Sequence, residues 1–211
     1  ADVLANAGVH IGGTDFDRLL SLASVMPQLG YRSPLKNGRE MPASVFFNLA
    51  TWHTINFAYT RQVWAEQQQL RLEAMQPEQL DRLLRLIEQR AGHWLAHRVE
   101  EAKIALSDRD TAALSLDRFA PDWQHQLTRA EFELATTMLV EKVEATVAAL
   151  LRDAGVAADG IDTVFFTGGS SGIPLLRRRI AALLPKAQAV EGDLFGSIGA
   201  GLAVEAARRF G

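Results

Sequence analysis

The chain has no cysteine, which excludes disulfides and thiolate-held metal. It has no excess of either charge. Its 22 Lys and Arg stand against 25 Asp and Glu, a net of −3, so no basic field points to nucleic acid. No apolar run is long enough to span a bilayer, and no signal peptide opens the chain. These absences predict a soluble, cytoplasmic protein with neither nucleic-acid nor membrane partners. An initiator Met is also missing, and Ala1-Asp-Val-Leu-Ala-Asn-Ala-Gly-Val-His10 reads as a strand already in progress. A fragment of something longer is therefore expected. At 211 residues it can still bury a real core, in one or two subdomains.

What the chain does contain is periodicity. Thr14 or Asp15 suits a helix cap, with Phe16, Leu19, Leu20 and Ala23 as the apolar face and Pro27 and Gly30 as the stop. Residues 31–43, with Pro34, Asn37, Gly38 and Pro42, read as a loop. Helical pattern resumes at Ser44 and is predicted to run to about Met75. Pro77 restarts it. Leu80, Leu83, Leu84, Ile87, Ala91, Trp94, Leu95, Val99, Ala102 and Leu106 then recur at spacings of three and four. That pattern predicts one long amphipathic helix reaching Ser107.

Residues 111–119 and 123–127 look like a hairpin. Thr128-Arg-Ala-Glu131 is a capping box. It opens a helix whose predicted buried face is Phe132, Ala135, Met138, Leu139, Val143, Val147 and Leu150, closed by Gly155. Residues 161–167 and 187–190 are predicted strands; residues 173–184 and 194–209 are predicted helices. Gly196, Gly199, Ala200, Gly201 and Ala203 leave one side of the last helix nearly bare. Each interior Gly costs about 1 kcal/mol, so close packing or a ligand is expected there. The expected organisation is a first strand and Gly-Gly turn at 1–14, a helical subdomain at 15–107 and an α/β subdomain at 108–211.

The most informative stretch is Val164-Phe-Phe-Thr-Gly-Gly-Ser-Ser-Gly-Ile-Pro174. It reads as a buried strand, a glycine turn and a helix. Gly168 and Gly169 permit backbone angles that side chains forbid, and let a ligand approach the main chain. Ser170 or Ser171 suits the cap of the following helix, and Pro174 its first turn. Such a helix start offers N–H groups to phosphate or ribose oxygens. The same turn without a ligand is an ordinary strand-to-helix link.

Glu100, Lys103 and Ser107 fall at i, i+3 and i+7, on one helix face. Glu100 and Ser107 suit ribose hydroxyls, and Lys103 suits ribose or phosphate oxygens; a solvated Glu–Lys face is the alternative. Asp193 reads as the N-cap of the last helix. His93 and His97 are spaced as zinc pairs can be, but no acidic residue sits between them and they flank Trp94, so a surface or core role is expected. Arg177, Arg178 and Arg179 read as a solvated helix face. Ser170 lacks the G-x-S-x-G context of a hydrolase nucleophile.

Taken in order, His10-Ile-Gly-Gly-Thr-Asp-Phe-Asp17, Glu100-Glu-Ala-Lys-Ile-Ala-Leu-Ser107, Thr128-Arg-Ala-Glu-Phe132, Gly168-Gly-Ser-Ser-Gly-Ile-Pro174 and Gly192-Asp-Leu-Phe-Gly-Ser-Ile-Gly-Ala-Gly201 resemble the second lobe of the Hsp70 nucleotide-binding domain. Their counterparts in that family are GGEDFD, E-x-A-K-x-x-L-S, TRAxFE, GGSTRIP and PDEAVAxGAA. The resemblance implies an α/β fold: an incomplete ribonuclease-H-like subdomain of the actin-like ATPase type with a largely helical insertion. It implies an ATP- or ADP-binding wall formed by Gly13, Glu100, Lys103, Ser107, Gly168, Gly169, Ser170, Gly172 and Asp193. Mg²⁺, the phosphate loops and the catalytic carboxylates would lie outside this chain, which is therefore expected to be inactive alone, while its parent hydrolyses ATP as a chaperone. An exchange factor or co-chaperone is the implied protein partner of the helical part, and dimerisation of the fragment is expected.

Two departures matter. Where the family places adenine-flanking arginines, this chain has Ile104 and Gly172; adenine then rests against Ile104, or is held weakly. The segment between Asp17 and Glu100 is also longer than in typical members, as in divergent short bacterial Hsp70-like proteins. Two other readings stay open: a bacterial actin-type cytoskeletal ATPase, and a non-catalytic interaction module that has lost tight nucleotide binding.

Overall fold

The computed structural model describes residues 2–192 and 196–210. They form a mixed α/β structure, mainly helical, with two small two-stranded sheets. The chain divides into two compact units, one of residues 14–136 and one of residues 1–13 with 137–211.

The unit of residues 14–136 is built on helices. Helix α1 (Gly13–Leu20) buries Phe16 and Leu20. It continues through a π turn (Ser21–Val25) and a 3-10 turn (Met26–Leu29). Gly30 stops the run at φ +105°, with its N–H and that of Tyr31 returning to Pro27 and Met26 carbonyls. After the loop of residues 31–43 come α2 (Ser44–Ala50), a 3-10 helix (Trp52–Tyr59) and α3 (Arg61–Glu73). The single helix expected from Ser44 to Met75 is thus three pieces. Thr51 is extended, and Thr60 is extended while its hydroxyl accepts from the Val63 N–H. Between them lies an aromatic and β-branched run of poor helix propensity.

The long helix expected over 77–107 is also divided, into α4 (Pro77–Glu88) and α5 (Gly92–Asp108). Arg90, at φ +48°, makes the break. Close approach explains the residue that restarts the helix. A Cβ on Gly92 would lie 2.5 Å from Ile55 Cγ2 and 2.6 Å from the Tyr59 hydroxyl, and its N–H donates to that hydroxyl at 2.8 Å.

Strands β1 (Thr111–Ser115) and β2 (Gln124–Thr128) pair antiparallel, Thr111 opposite Thr128, as the hairpin pattern predicts. They belong with the helices, since β1 packs on α5. The core of this unit includes Phe16, Leu20, Phe46, Leu49, Ile55, Leu80, Leu83, Leu86, Val99, Leu106, Leu127 and Phe132, all nearly or fully buried.

Helix α6 (Arg129–Ala154) contributes residues to both units. Its capping box forms as expected: Glu131 accepts from the Thr128 N–H at 3.2 Å, and Thr128 Oγ1 accepts from the Glu131 N–H at 3.2 Å. The buried face does not follow the expectation. Phe132, Thr136 and Val140 are fully buried, whereas Met138 is 71% exposed. Thr136 is admitted because its hydroxyl donates to the Phe132 carbonyl at 2.7 Å. Gly155 ends α6 at φ +65°, as expected.

In the other unit, β3 (Thr163–Phe166) and β4 (Gln188–Glu191) pair parallel, Thr163 opposite Gln188. A 3-10 turn (Gly169–Gly172) and α7 (Pro174–Leu183) connect them. Pro174 opens α7, but neither serine caps it: the cap position is Ile173, and Ser171 Oγ instead donates to the Gly168 carbonyl at 2.7 Å. Phe166, Ile173, Leu176, Ile180 and Leu184 are buried, while Phe165 is 58% exposed, so β3 is only half covered.

One further expectation fails in this unit. Residues 2–12 form no strand. A strand exists only by pairing, and this segment joins neither sheet; Val3 and Leu4 stay exposed. Helix α8 (Ser197–Phe210) has the small-residue side, and among the described residues none approaches within 4 Å of a Cβ built at Gly199 or Gly201, so close packing is not what accommodates these glycines. Asp193, read as the cap of that helix, lies outside the described residues.

Candidate functional site

Helix α5 carries Glu100, Lys103 and Ser107 on one face. Lys103 Nζ lies 2.8 Å from Asp17 Oδ1 of α1, and the two side chains are only 13% and 18% exposed. Burial raises the Asp17 carboxyl above its ordinary pKa. The Lys103 hydrogen bond and charge oppose that rise, and the Glu100 charge adds to it. Glu100 is half exposed, with His97 Nδ1 3.6 Å from its carboxylate; His97 Nε2 also reaches Glu101 at 3.4 Å. His93 is turned to another task, its ring edge-to-face with Trp52 at 4.9 Å. Among the described residues no cluster of three His, Cys, Asp or Glu is placed to hold a metal.

The end of α5 is held by Arg129. Its Nε donates to the Leu106 carbonyl at 2.9 Å, its Nη2 to that of Ser107 at 3.5 Å, and its Nη1 pairs with Asp110 at 3.0 Å. These bonds satisfy carbonyls that a helix terminus leaves open. Ile104, one residue beyond Lys103, is 54% exposed.

Beside this face is a cavity of about 230 Å³. Thr14 and Asp17 of α1 with Ser21 of the π turn line one side, Leu49, Ala50 and Trp52 another, and Ala96, Val99 and Glu100 of α5 a third.

The glycine turn forms its own cluster. Gly168 sits at φ +82°, which only glycine adopts without strain. Among the described residues no atom lies within 4 Å of a Cβ built at Gly168 or Gly172, so the main chain is uncovered there. Arg177 of α7 braces the turn. Its Nε donates to the Ser171 carbonyl at 2.6 Å, it pairs with Glu191 at the end of β4, and its guanidinium lies over the Phe166 ring at 5.4 Å. The sequence pattern placed Arg177 on a solvated face; its real partners are the turn and the sheet.

The structure thus gathers the expected residues into two sets. Glu100, Lys103 and Ser107 share one helix face in one unit. Gly168, Gly169, Ser170 and Gly172 share one turn in the other, and Gly13 is the first residue of α1. One set offers a half-exposed carboxylate and a hydroxyl, the other uncovered backbone at a positive-φ glycine. Asp17, Trp52, Arg129 and Arg177 were not anticipated as site residues. Of these Asp17 and Arg129 had a signal, their places in the His10-to-Asp17 and Thr128-to-Phe132 motifs.

Comparison with known proteins bears on the whole. A family model described as Hsp70 protein matches residues 75–208. Similar relatives include the chaperone protein HscA of Proteus mirabilis, 40% identical over 80 residues, which cover 38% of this chain and 12% of that protein. HscA of Yersinia enterocolitica is 33% identical over 105 residues, 50% of this chain and 16% of that protein. HscA of Escherichia coli O17:K52:H18 is 33% identical over 103 residues, 48% and 16%. The chain thus spans well under a fifth of the length of these relatives. The family match covers more than half of the chain and takes in α5, the capping box and the glycine turn: the chain belongs to the Hsp70 family.

Proposed function

We propose that this chain is the second lobe of an Hsp70-like nucleotide-binding domain of the actin-like ATPase fold, and that it supplies nucleoside contacts to a parent protein that binds and hydrolyses ATP as a chaperone. The observation that carries the reading is the α5 face. Glu100 presents a half-exposed carboxylate for ribose hydroxyls, Lys103 is held beside it by Asp17, and Ser107 lies on the same face. The turn at Gly168, Gly169 and Ser170 adds open main chain, braced by Arg177. Asp193 enters this reading only as a nucleotide contact, through the resemblance of its motif. Phosphoryl transfer needs metal, nucleophile and phosphate donors placed together; Mg²⁺ and those groups belong to the other lobe in this reading. The protein acts in the cytoplasm, and an exchange factor or co-chaperone docks on the helical unit.

Calorimetry of the full-length protein with ADP tests the reading. Binding that Glu100→Gln and Ser107→Ala each weaken supports it, and absence of binding removes it.

A second reading, a non-catalytic module of the family, is favoured by two observations: Ile104 and Gly172 offer no guanidinium to a base, and Lys103 is already engaged by Asp17. The same titration separates the two.

A further inference from the structure

A second cavity of the helical unit, about 350 Å³ in volume, is lined by Tyr59, Arg61, Trp64, Ile87, Glu88 and Arg90. It falls at the small end of the roughly 300–1,000 Å³ typical of small-molecule pockets. Tyr59, Arg61 and Trp64 precede residue 75, where the family match begins, so that side of the wall lies outside the matched segment.

The lining is aromatic and cationic together. Tyr59 and Trp64 are half-buried, and Ile87 is buried. The Tyr59 hydroxyl accepts from the Gly92 N–H at 2.8 Å, which fixes its ring. Among the described residues the Trp64 indole has no ring partner and no hydrogen bond. An indole so placed lacks the partner its N–H ordinarily finds.

Arg61 and Arg90 are exposed, and neither forms an ion pair among the described residues. Glu88 lines the same cavity without reaching either of them. The lining thus carries one positive charge in excess. That excess matches a monoanion; a phosphate dianion would overcompensate it beside Glu88. Arg90 adds a second sign. It sits at φ +48° after α4, where glycine is the cheaper residue. The strained backbone keeps a guanidinium at the cavity, over the Tyr59 ring at 5.8 Å. Strain of this kind clusters at ligand sites.

We infer that this cavity binds an aromatic carboxylate, with the ring against Tyr59 and Trp64 and the carboxylate on Arg61 and Arg90. The inference is independent of the nucleotide reading. Such a group belongs either to a free small acid or to a chain that ends in an aromatic residue.

NMR titration of the full-length protein with phenylacetate, and with its neutral counterpart phenylacetamide, tests the site. Phenylacetate should bind about tenfold or more tightly than phenylacetamide. Arg61→Gln and Arg90→Gln should each weaken phenylacetate about tenfold and leave phenylacetamide unchanged. Both arginines are exposed and unpaired, so neither change threatens the fold. Acetyl-Gly-Phe with a free carboxylate separates the two sources. Tighter binding than phenylacetate supports the inference with a chain end as the ligand, and weaker binding supports it with a small acid. Equal affinity for phenylacetate and phenylacetamide overturns it, because the arginines then recognise nothing. Equal weakening of both probes in the arginine variants overturns it as a structural effect. Binding of neither acid at about 1 mM also overturns it.

Discussion

Asp17 and Lys103, far apart in sequence, form a shielded ion pair that joins α1 to α5 at 2.8 Å. The pair fixes the one cation on the α5 face. It also places a carboxylate where burial disfavours its charge.

That conflict sets a pH dependence. Because the folded pKa of Asp17 is raised, the stability linked to it is fully present below the ordinary value of 3.8 and is lost as pH rises through the folded value. Asp17→Asn mimics the protonated side chain at every pH. The native protein's advantage over Asp17→Asn should therefore be larger near pH 3.8 than at pH 7, measured as the difference of two urea titrations. Lys103→Met should behave oppositely. It leaves the Asp17 carboxylate without its cation and should cost about 2 kcal/mol at pH 7, less than for a fully buried pair, and less again in acid. A Lys103→Met cost that is independent of pH would show that the pair carries no charge coupling.

Gly92 should be the least replaceable glycine of the helical unit. A methyl group there meets Ile55 and the Tyr59 hydroxyl at overlapping distance, and relief would break the Gly92 N–H bond to Tyr59. Gly92→Ala should destabilise by about 1–3 kcal/mol, although alanine is the better helix former. Thermal unfolding beside Gly199→Ala, an open position where the same change should stabilise slightly, gives the comparison.

Arg177 should govern the order of the glycine turn. Arg177→Ala removes the bond to the Ser171 carbonyl and the link to Glu191, at about 1–2 kcal/mol. Arg177→Lys should not restore the loss, since one ammonium cannot reproduce a planar fork over Phe166. Hydrogen exchange at the amides of Ser171 and Ile173, which bond to Gly168 and Ser170 carbonyls, should quicken in both variants. Unchanged protection would show that the turn holds itself.

The legible parts of this fold are local ones. Thr128 and Glu131 cap their helix because both partners lie within one turn, and Gly30 and Gly155 stop theirs because only glycine takes those angles cheaply. The unread parts depend on partners distant in sequence. Gly92, two residues past Arg90, is the one local sign of the break, but its reason is Ile55 and Tyr59. Residues 2–12 have strand composition without a pairing partner, and composition alone cannot supply one. The same holds for the site. Spacing along α5 brought Glu100, Lys103 and Ser107 to one face, but Asp17, Trp52 and Arg177 acquire their roles only through packing.

The positions of Ile104 and Gly172 give the sharpest remaining test. Ile104 is exposed, and a side chain at Gly172 meets nothing within 4 Å, so Ile104→Arg and Gly172→Arg should be accommodated with stability changed by no more than about 0.5 kcal/mol. Two guanidinium groups flanking a base would contribute about 1–4 kcal/mol. On the nucleotide reading the double arginine variant should therefore bind ADP about tenfold or more tightly than the native protein. Calorimetry with ADP on the two proteins checks this, and unchanged affinity would show that another group holds the base.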